Sequence, residues 1–182
     1  MLETNRLILR KWELSDIDNM YKYAKDPDIG PIAGWPAHTN KEVSEMVIKE
    51  FIKNHPYCFA ITLKPSNEAI GCIELKEYPS DLARNKDEAE LGYWLGKPFW
   101  GNSIMVEAAN ALMDYGFNNL GLNVIWCGHY EGNNKSKRVI EKLGFIYHHT
   151  ECNLAVPLLN EERTGHSYIM PKEHFNNLKN KI

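Results

Sequence analysis

Residues 89–117 read AELGYWLGKPFWGNSIMVEAANALMDYGF. Ala89 to Leu95 has the composition of a strand, and Gly96-Lys97-Pro98 ends it. Trp100-Gly101-Asn102-Ser103 forms a short turn into a helix over Ile104–Asn118, in which Val106, Ala109, Leu112, Met113 and Phe117 recur at helical spacing. A turn of this kind aims backbone N–H groups and the positive helix end at one point, the arrangement by which helix N-termini hold phosphate. The segment fits neither G-x-x-x-x-G-K-[ST] nor G-x-G-x-x-G, so nucleotide-loop readings fail on their own motifs. A plain strand–turn–helix connection explains it equally well.

Upstream, Arg6 to Trp12 reads as a strand and Ser15-Asp16 as the start of a helix to Ala24. Asp26–Pro36, with three prolines and two glycines, reads as a loop carrying Trp35. Thr39 or Asn40 caps a second helix with Val43, Met46, Val47 and Phe51 on its buried face. Tyr57–Leu63 and Ala69–Tyr78 read as a hairpin, and Pro79–Glu88 as an exposed loop. Downstream come a strand at Val124–Tyr130, a short helix at Lys135–Leu143 stopped by Gly144, extended runs at Phe145–Val156 and Arg163–Met170, and a polar helix or tail from Lys172. This order predicts an α/β or α+β fold, a mixed sheet with helices on both faces, in one domain over 1–182.

The 182 residues suffice for one core, and 43% hydrophobic with 25% charged residues is ordinary for a globular domain. Twenty-one Lys+Arg against 24 Asp+Glu give a net charge of -3, which argues against nucleic acid held by bulk charge. No run is long and apolar enough to span a membrane, and no secretory leader opens the chain, so the expected location is cytoplasmic. Cys58, Cys72, Cys127 and Cys152 lack C-x-x-C spacing, which predicts thiols in a reducing compartment and no metal site.

A second block, Gly132 to Phe145 (GNNKSKRVIEKLGF), completes the pattern. Together with the opening ETNRLILRKWELSD and the segment ELGYWLGKPFWG, it resembles the GNAT superfamily of N-acetyltransferases, specifically its RimJ/RimL-like group. The similarity spans roughly residues 3–170, with three motifs in the family's order. It implies an acyl-CoA N-acyltransferase fold with a mixed, mostly antiparallel sheet, and acetyl-CoA as co-substrate without a metal.

The resemblance also implies roles. The pantetheine arm runs beside the strand at Trp94 and Leu95, and the pyrophosphate rests on the amides of Trp100, Gly101, Asn102, Ser103, Ile104 and Met105. Ser103 stands where the superfamily usually has Gly, and Met105 where it has Gly or Ala. A serine costs little there if the backbone stays helical, and its hydroxyl can cap the helix or meet phosphate. Asn133 is expected at the pantetheine, or as an ordinary helix cap. Ser136 is expected near the thioester sulfur, as proton donor directly or through water, because the tyrosine of many relatives is replaced here by Ile140. Glu90 is the candidate general base; alternatively, it is an inward polar residue satisfied by the Pro79–Glu88 loop.

Other readings are weaker. His148 and His149 point to opposite sides of a strand near the expected site. Lys135, Lys137 and Arg138 lie where the 3′-phosphate passes or on a solvated helix face. Cys127 is the candidate for a covalent intermediate, disfavoured against direct attack by the amine. Trp35, His38 and Glu90 are the expected acceptor contacts, with Asp28, Glu161 and Glu162 nearby. The expected activity is acetyl transfer to a primary amine, first a protein or peptide N-terminus and alternatively a polyamine, amino acid or antibiotic, by a monomer or homodimer. A non-catalytic CoA-binding module is the reading from a different class.

Overall fold

The structure, a computed structural model, describes residues 1–180. The N-terminal run forms two short strands in place of one. Thr4 closes a turn, its N–H donating to Leu7 O (3.0 Å) and its Oγ1 accepting from Leu7 N (2.9 Å), so that β1 (Leu2–Glu3) folds antiparallel onto β2 (Leu7–Arg10). Arg10 then turns its guanidinium onto Asp16 in a two-pronged pair at 2.7 Å each, which anchors the entry to α1 (Ile17–Ala24).

The Pro/Gly loop contains one short turn of helix, α2 (Gly30–Ala33), ended by Gly34 at φ 98. A β-carbon there would lie 2.8 Å from the Tyr130 ring, so only glycine allows both this backbone and this contact. Asn40 caps α3 (Lys41–Asn54), accepting from Val43 N at 3.0 Å. The buried face of α3 is rotated from the expected one. Ser44 and Ile48 are buried while Met46 is 63% exposed; Val47 and Phe51 still pack on the core, and the Ser44 hydroxyl meets His38 Nδ1 at 2.8 Å.

The remaining elements are β3 (Cys58–Leu63), β4 (Ala69–Glu77), β5 (Glu88–Leu95), α4 (Ile104–Asn118), β6 (Val124–Tyr130), α5 (Asn134–Leu143), β7 (Ile146–Val156), β8 (Glu161–Pro171) and α6 (Lys172–Lys179). The eight strands form one sheet in the order β1-β2-β3-β4-β5-β6-β8-β7. All pairs are antiparallel except β5–β6. The main core lies on the α4 side, where Ala108, Leu112, Met113 and Phe117 meet Leu7, Ile61, Ile73 and Leu91. A second core under α1 and α3 joins Trp12, Met20 and Ile48 to Cys58, Ala60 and Cys72. No described helix is long and apolar enough to cross a membrane.

One break in this sheet creates the site. β5 and β6 pair in parallel only from Glu88↔Val124 to Leu91↔Cys127. Beyond that, Gly92–Leu95 stay with β4 while Gly128–Tyr130 stay with β8, and the two strands part.

Candidate functional site

The parted strands leave a slot with backbone on one wall. Gly96 N donates to Ile70 O on β4 at 2.8 Å. In an antiparallel pair the hydrogen-bonding direction alternates along the strand, so Trp94 shares its amide with Cys72 while Tyr93 and Leu95 turn theirs toward the slot. This corrects the expectation for Trp94. Leu95 O is already taken by the Trp100 indole N–H at 2.8 Å, which fastens the turn to the end of the strand.

The turn does not keep the helical backbone on which a serine at position 103 would cost little. Gly101 (φ 81) and Ser103 (φ 55) are both left-handed, and the Ser103 hydroxyl makes no cap bond to α4. A left-handed residue carrying a side chain costs roughly 1–2 kcal/mol, so the fold tolerates serine in a glycine conformation. Glu107 N to Ser103 O (3.1 Å) is the first bond of α4. Among the described residues the N–H groups of Ser103, Ile104 and Met105 have no acceptor, and they end the helix as a free donor cluster. Arg6 braces the turn from outside, donating to Asn102 O at 3.1 Å and to Glu107 at 2.6 Å. Lys135 Nζ sits 3.9 Å over the Trp100 ring. Free donors at a helix start, beside an open strand edge, fit a phosphorylated ligand with an extended amide-bearing arm.

On one face of β5, Glu90 is almost fully buried. Its Oε1 lies 3.1 Å from Lys76 Nζ and its Oε2 accepts from Leu82 N at 3.2 Å. The loop does satisfy this carboxylate, and Lys76 joins it. Burial pulls the Lys76 pKa down, but Glu90, Glu74 and Asp81 outweigh it and the net shift is upward, so the group is an ammonium. Glu74 in turn contacts His55 Nδ1 at 2.5 Å. His55, Glu74 and Lys76, though not Glu90 itself, line a polar groove of about 310 Å³ that also takes in Asn54, Ser80 and Asp81. Trp94 lies on the same face, its ring 6.5 Å from Trp12 and 6.1 Å from Trp35. His38 is 8% exposed and meets Trp35 edge-on, tying the loop to α3 through Ser44.

On the opposite face stands a residue that sequence reasoning did not single out. Tyr93 packs against the main core, and its hydroxyl lies 2.9 Å from Ser136 Oγ. Burial raises this phenol well above its ordinary pKa, the neighbouring Cys127 adds to the rise, and the Ser136 bond opposes it. Asn133 is the N-cap of α5, its Oδ1 accepting from Ser136 N at 3.1 Å, and its Nδ2 reaches Ile32 O at 3.5 Å. Ile140 is fully buried. Cys127 is buried, and its thiol is pushed up to about 12, chiefly by burial and then by the Glu90 charge. Thiolate is therefore scarce at neutral pH and a covalent cysteine route is disfavoured.

Arg163 roofs the slot, donating to Ile32 O at 3.4 Å and stacking 5.1 Å from Tyr130. Asp28 pairs with Lys97 and Glu161 with Arg163, so these carboxylates are engaged. His148 and His149 lie on β7, with β8 between them and β6, and the His148 ring packs edge-on against Trp126, 4.9 Å between centroids. Among the described residues no group of three or more His, Cys, Asp or Glu side chains is arranged to hold a metal ion.

A splayed parallel pair, a donor-rich helix start and a carboxylate beside the slot are what an acyl-transfer site needs. Residues 6–146 match the acetyltransferase (GNAT) domain family. The chain is 31% identical over 148 residues to uncharacterized N-acetyltransferase p20 of Bacillus licheniformis, covering 79% of this chain and 81% of that protein. An acetyltransferase of the GNAT family from Bacillus anthracis superposes with a TM-score of 0.83 at 23% identity, over 94% of this chain and 98% of that one. Ribosomal-protein-S5-alanine acetyltransferase from Vibrio fischeri shares the fold with a TM-score of 0.71 at 18% identity, over 95% and 97% of the two chains. The chain belongs to the GNAT acetyltransferase family. Members of that family use acetyl-CoA as co-substrate.

Proposed function

We propose that this acetyltransferase is a RimJ/RimL-like enzyme that acetylates the α-amino group of a protein or peptide N-terminus, by direct attack of the amine on acetyl-CoA. The observation that carries the reading is the state of Glu90. Both of its oxygens are engaged, one by an ammonium, so an incoming amine meets a carboxylate whose charge is already shared. Such a site serves best an acceptor that arrives neutral. At pH 7 roughly one α-amino group in ten is neutral, with a pKa of ~8, against about one lysine-type amine in 2,500, with a pKa of ~10.4. Lys76 also repels the second charge of a polyamine. A polypeptide acceptor agrees with the use of this fold in the Vibrio fischeri enzyme, whose acceptor is an alanine of a ribosomal protein.

In this reading acetyl-CoA lies along Tyr93 and Leu95, its pyrophosphate on the amides of Ser103, Ile104 and Met105, and its sulfur at Ser136. Glu90 takes the amine proton directly or through water, with Trp35 on the acceptor side. Thiol release measured against a panel of N-terminal peptides, polyamines and amino acids tests the assignment. Peptides are expected to exceed every small amine in kcat/KM; a polyamine exceeding all peptides rejects it.

A further inference from the structure

We propose that Tyr93 sets the Ser136 hydroxyl as the hydrogen-bond donor to the departing thiolate, a task that α5 has no tyrosine to perform. The inference rests on the acetyl-transfer reading above, with Ser136 beside the thioester sulfur. One turn beyond Ser136, position 140 is an isoleucine with no exposed surface, so no phenol reaches the slot from α5. The phenol comes instead from the strand. Tyr93 Oη lies 2.9 Å from Ser136 Oγ and 3.4 Å from Ser136 O.

A serine hydroxyl has one proton and two lone pairs, and left to itself it turns toward any nearby acceptor. Here the surroundings narrow the choice. The Ser136 N–H is held by Asn133, which fixes the first turn of α5 and with it the position of Oγ. Tyr93 is half-buried against the core, and desolvation of its phenol raises its pKa well above the ordinary value, so it stays protonated. When its O–H donates to Ser136 Oγ, the serine proton cannot lie on that line and turns toward the slot. Of the phenol's other polar neighbours, Cys127 is a protonated thiol and only a weak acceptor, and Ser136 O lies farther away, at 3.4 Å against 2.9 Å for Oγ.

The step balances without a charged tyrosine. The amine nitrogen attacks the thioester carbonyl carbon, the C–N bond forms, and the tetrahedral centre collapses with the C–S electron pair moving to sulfur. Ser136 O–H stabilises that sulfur anion by a hydrogen bond. The proton shed by nitrogen passes through Glu90 and solvent and ends on sulfur, giving amide and free thiol. Ser136 touches the reacting atom, and Tyr93 acts through it as a positioning residue.

Thiol release by the full chain is measured for wild type, Tyr93→Phe, Ser136→Ala and the double variant, with an amine acceptor and with water as acceptor. Calorimetry gives each variant's affinity for acetyl-CoA. The expected result is a kcat about tenfold lower for Tyr93→Phe, less than the roughly 10²–10³ lost when a preorganised donor is removed outright, because Ser136 itself remains. Acetyl-CoA affinity should stay within twofold, and the double variant should match Ser136→Ala alone. Losses that multiply in the double variant, a Tyr93→Phe kcat within twofold of wild type, or a loss confined to affinity overturn the role. Replacing Tyr93 with 3-fluorotyrosine keeps the ring and strengthens the donor, so kcat should hold or rise; a tenfold fall overturns it. Wild-type chain that releases no thiol with any acceptor rejects the transferase reading itself, whereas wild-type turnover with an unimpaired Tyr93→Phe rejects only Tyr93.

Discussion

The two ends of the slot are built from different materials. At the turn end, Ser103–Met105 offer backbone amides, and their positions follow from one contiguous strand–turn–helix. At the acceptor end, Glu90 works with Lys76 from β4, Leu82 from a loop, Trp35 from a second loop and Arg163 from β8. Backbone-built sites tolerate side-chain change as long as φ and ψ are kept, whereas side-chain-built sites fail when one partner is lost. Substitutions at the two ends should therefore differ in size and in kind.

The largest effect is expected outside both ends, at Asp16, where β2 is tied to the start of α1. It is 3% exposed, receives both Arg10 N–H groups and accepts from Glu13 N at 3.0 Å. Asp16→Ala leaves a half-buried guanidinium and a backbone donor unpaired, at about 3 kcal/mol. Urea unfolding should show this as a lower midpoint at constant slope; a change under 1 kcal/mol means that water or Asn67 replaces the carboxylate.

Glu90→Gln keeps the shape of the site and removes the base. General bases contribute about 10²–10⁴-fold, and a carboxylate shared with Lys76 belongs at the low end, so kcat should fall about 100-fold. Acetyl-CoA affinity measured by calorimetry should not move. Equal wild-type and variant rates would leave Glu90 as the structural partner of Leu82 and Lys76 alone.

At the turn end the effects shrink. Ser103→Gly relieves a left-handed side chain worth roughly 1–2 kcal/mol but adds chain entropy worth roughly 0.5–1 kcal/mol, for a net gain of about 0.5 kcal/mol. Thermal unfolding should rise slightly, with acetyl-CoA binding retained or tighter. A loss of binding would show that the serine hydroxyl, not the backbone, serves the phosphate.

The same contrast explains what was legible in the sequence. The strand–turn–helix, the Asn40 and Asn133 caps and the Gly144 stop are local, and local chemistry fixes them. The β5–β6 parting is not local, since it depends on β4 and β8 each holding one strand. Lys76 was invisible as a partner of Glu90 because their pairing follows from the antiparallel register, 14 residues apart. Tyr93 had a signal that went unread. Period-two alternation places it with Leu91 and Leu95 on the core face, and a phenol on an apolar face needs a partner for its hydroxyl. The left-handed backbone at Ser103 had a signal only in the resemblance, which puts a glycine there, and none in the serine itself, which rarely adopts it.

The smallest effect tests both faces together through pH. Burial lowers the pKa of His38, and burial likewise lowers that of His129, with the Tyr130 carbonyl and Glu141 opposing and His166 and Lys137 assisting. A histidine whose folded pKa is depressed binds fewer protons folded than unfolded, so stability is full above the unfolded value of ~6.5. It falls as pH drops from there through the folded pKa and then levels. His38 sits under the acceptor loop beside Ser44, and His129 on the other face, its Nε2 3.1 Å from Tyr168 Oη. The two share no contact, so His38→Gln and His129→Gln should each remove part of the acid decline in melting temperature, and the parts should add. A decline of unchanged depth in the double variant would assign it to carboxylates, and a non-additive result would mean that the two faces titrate as one unit.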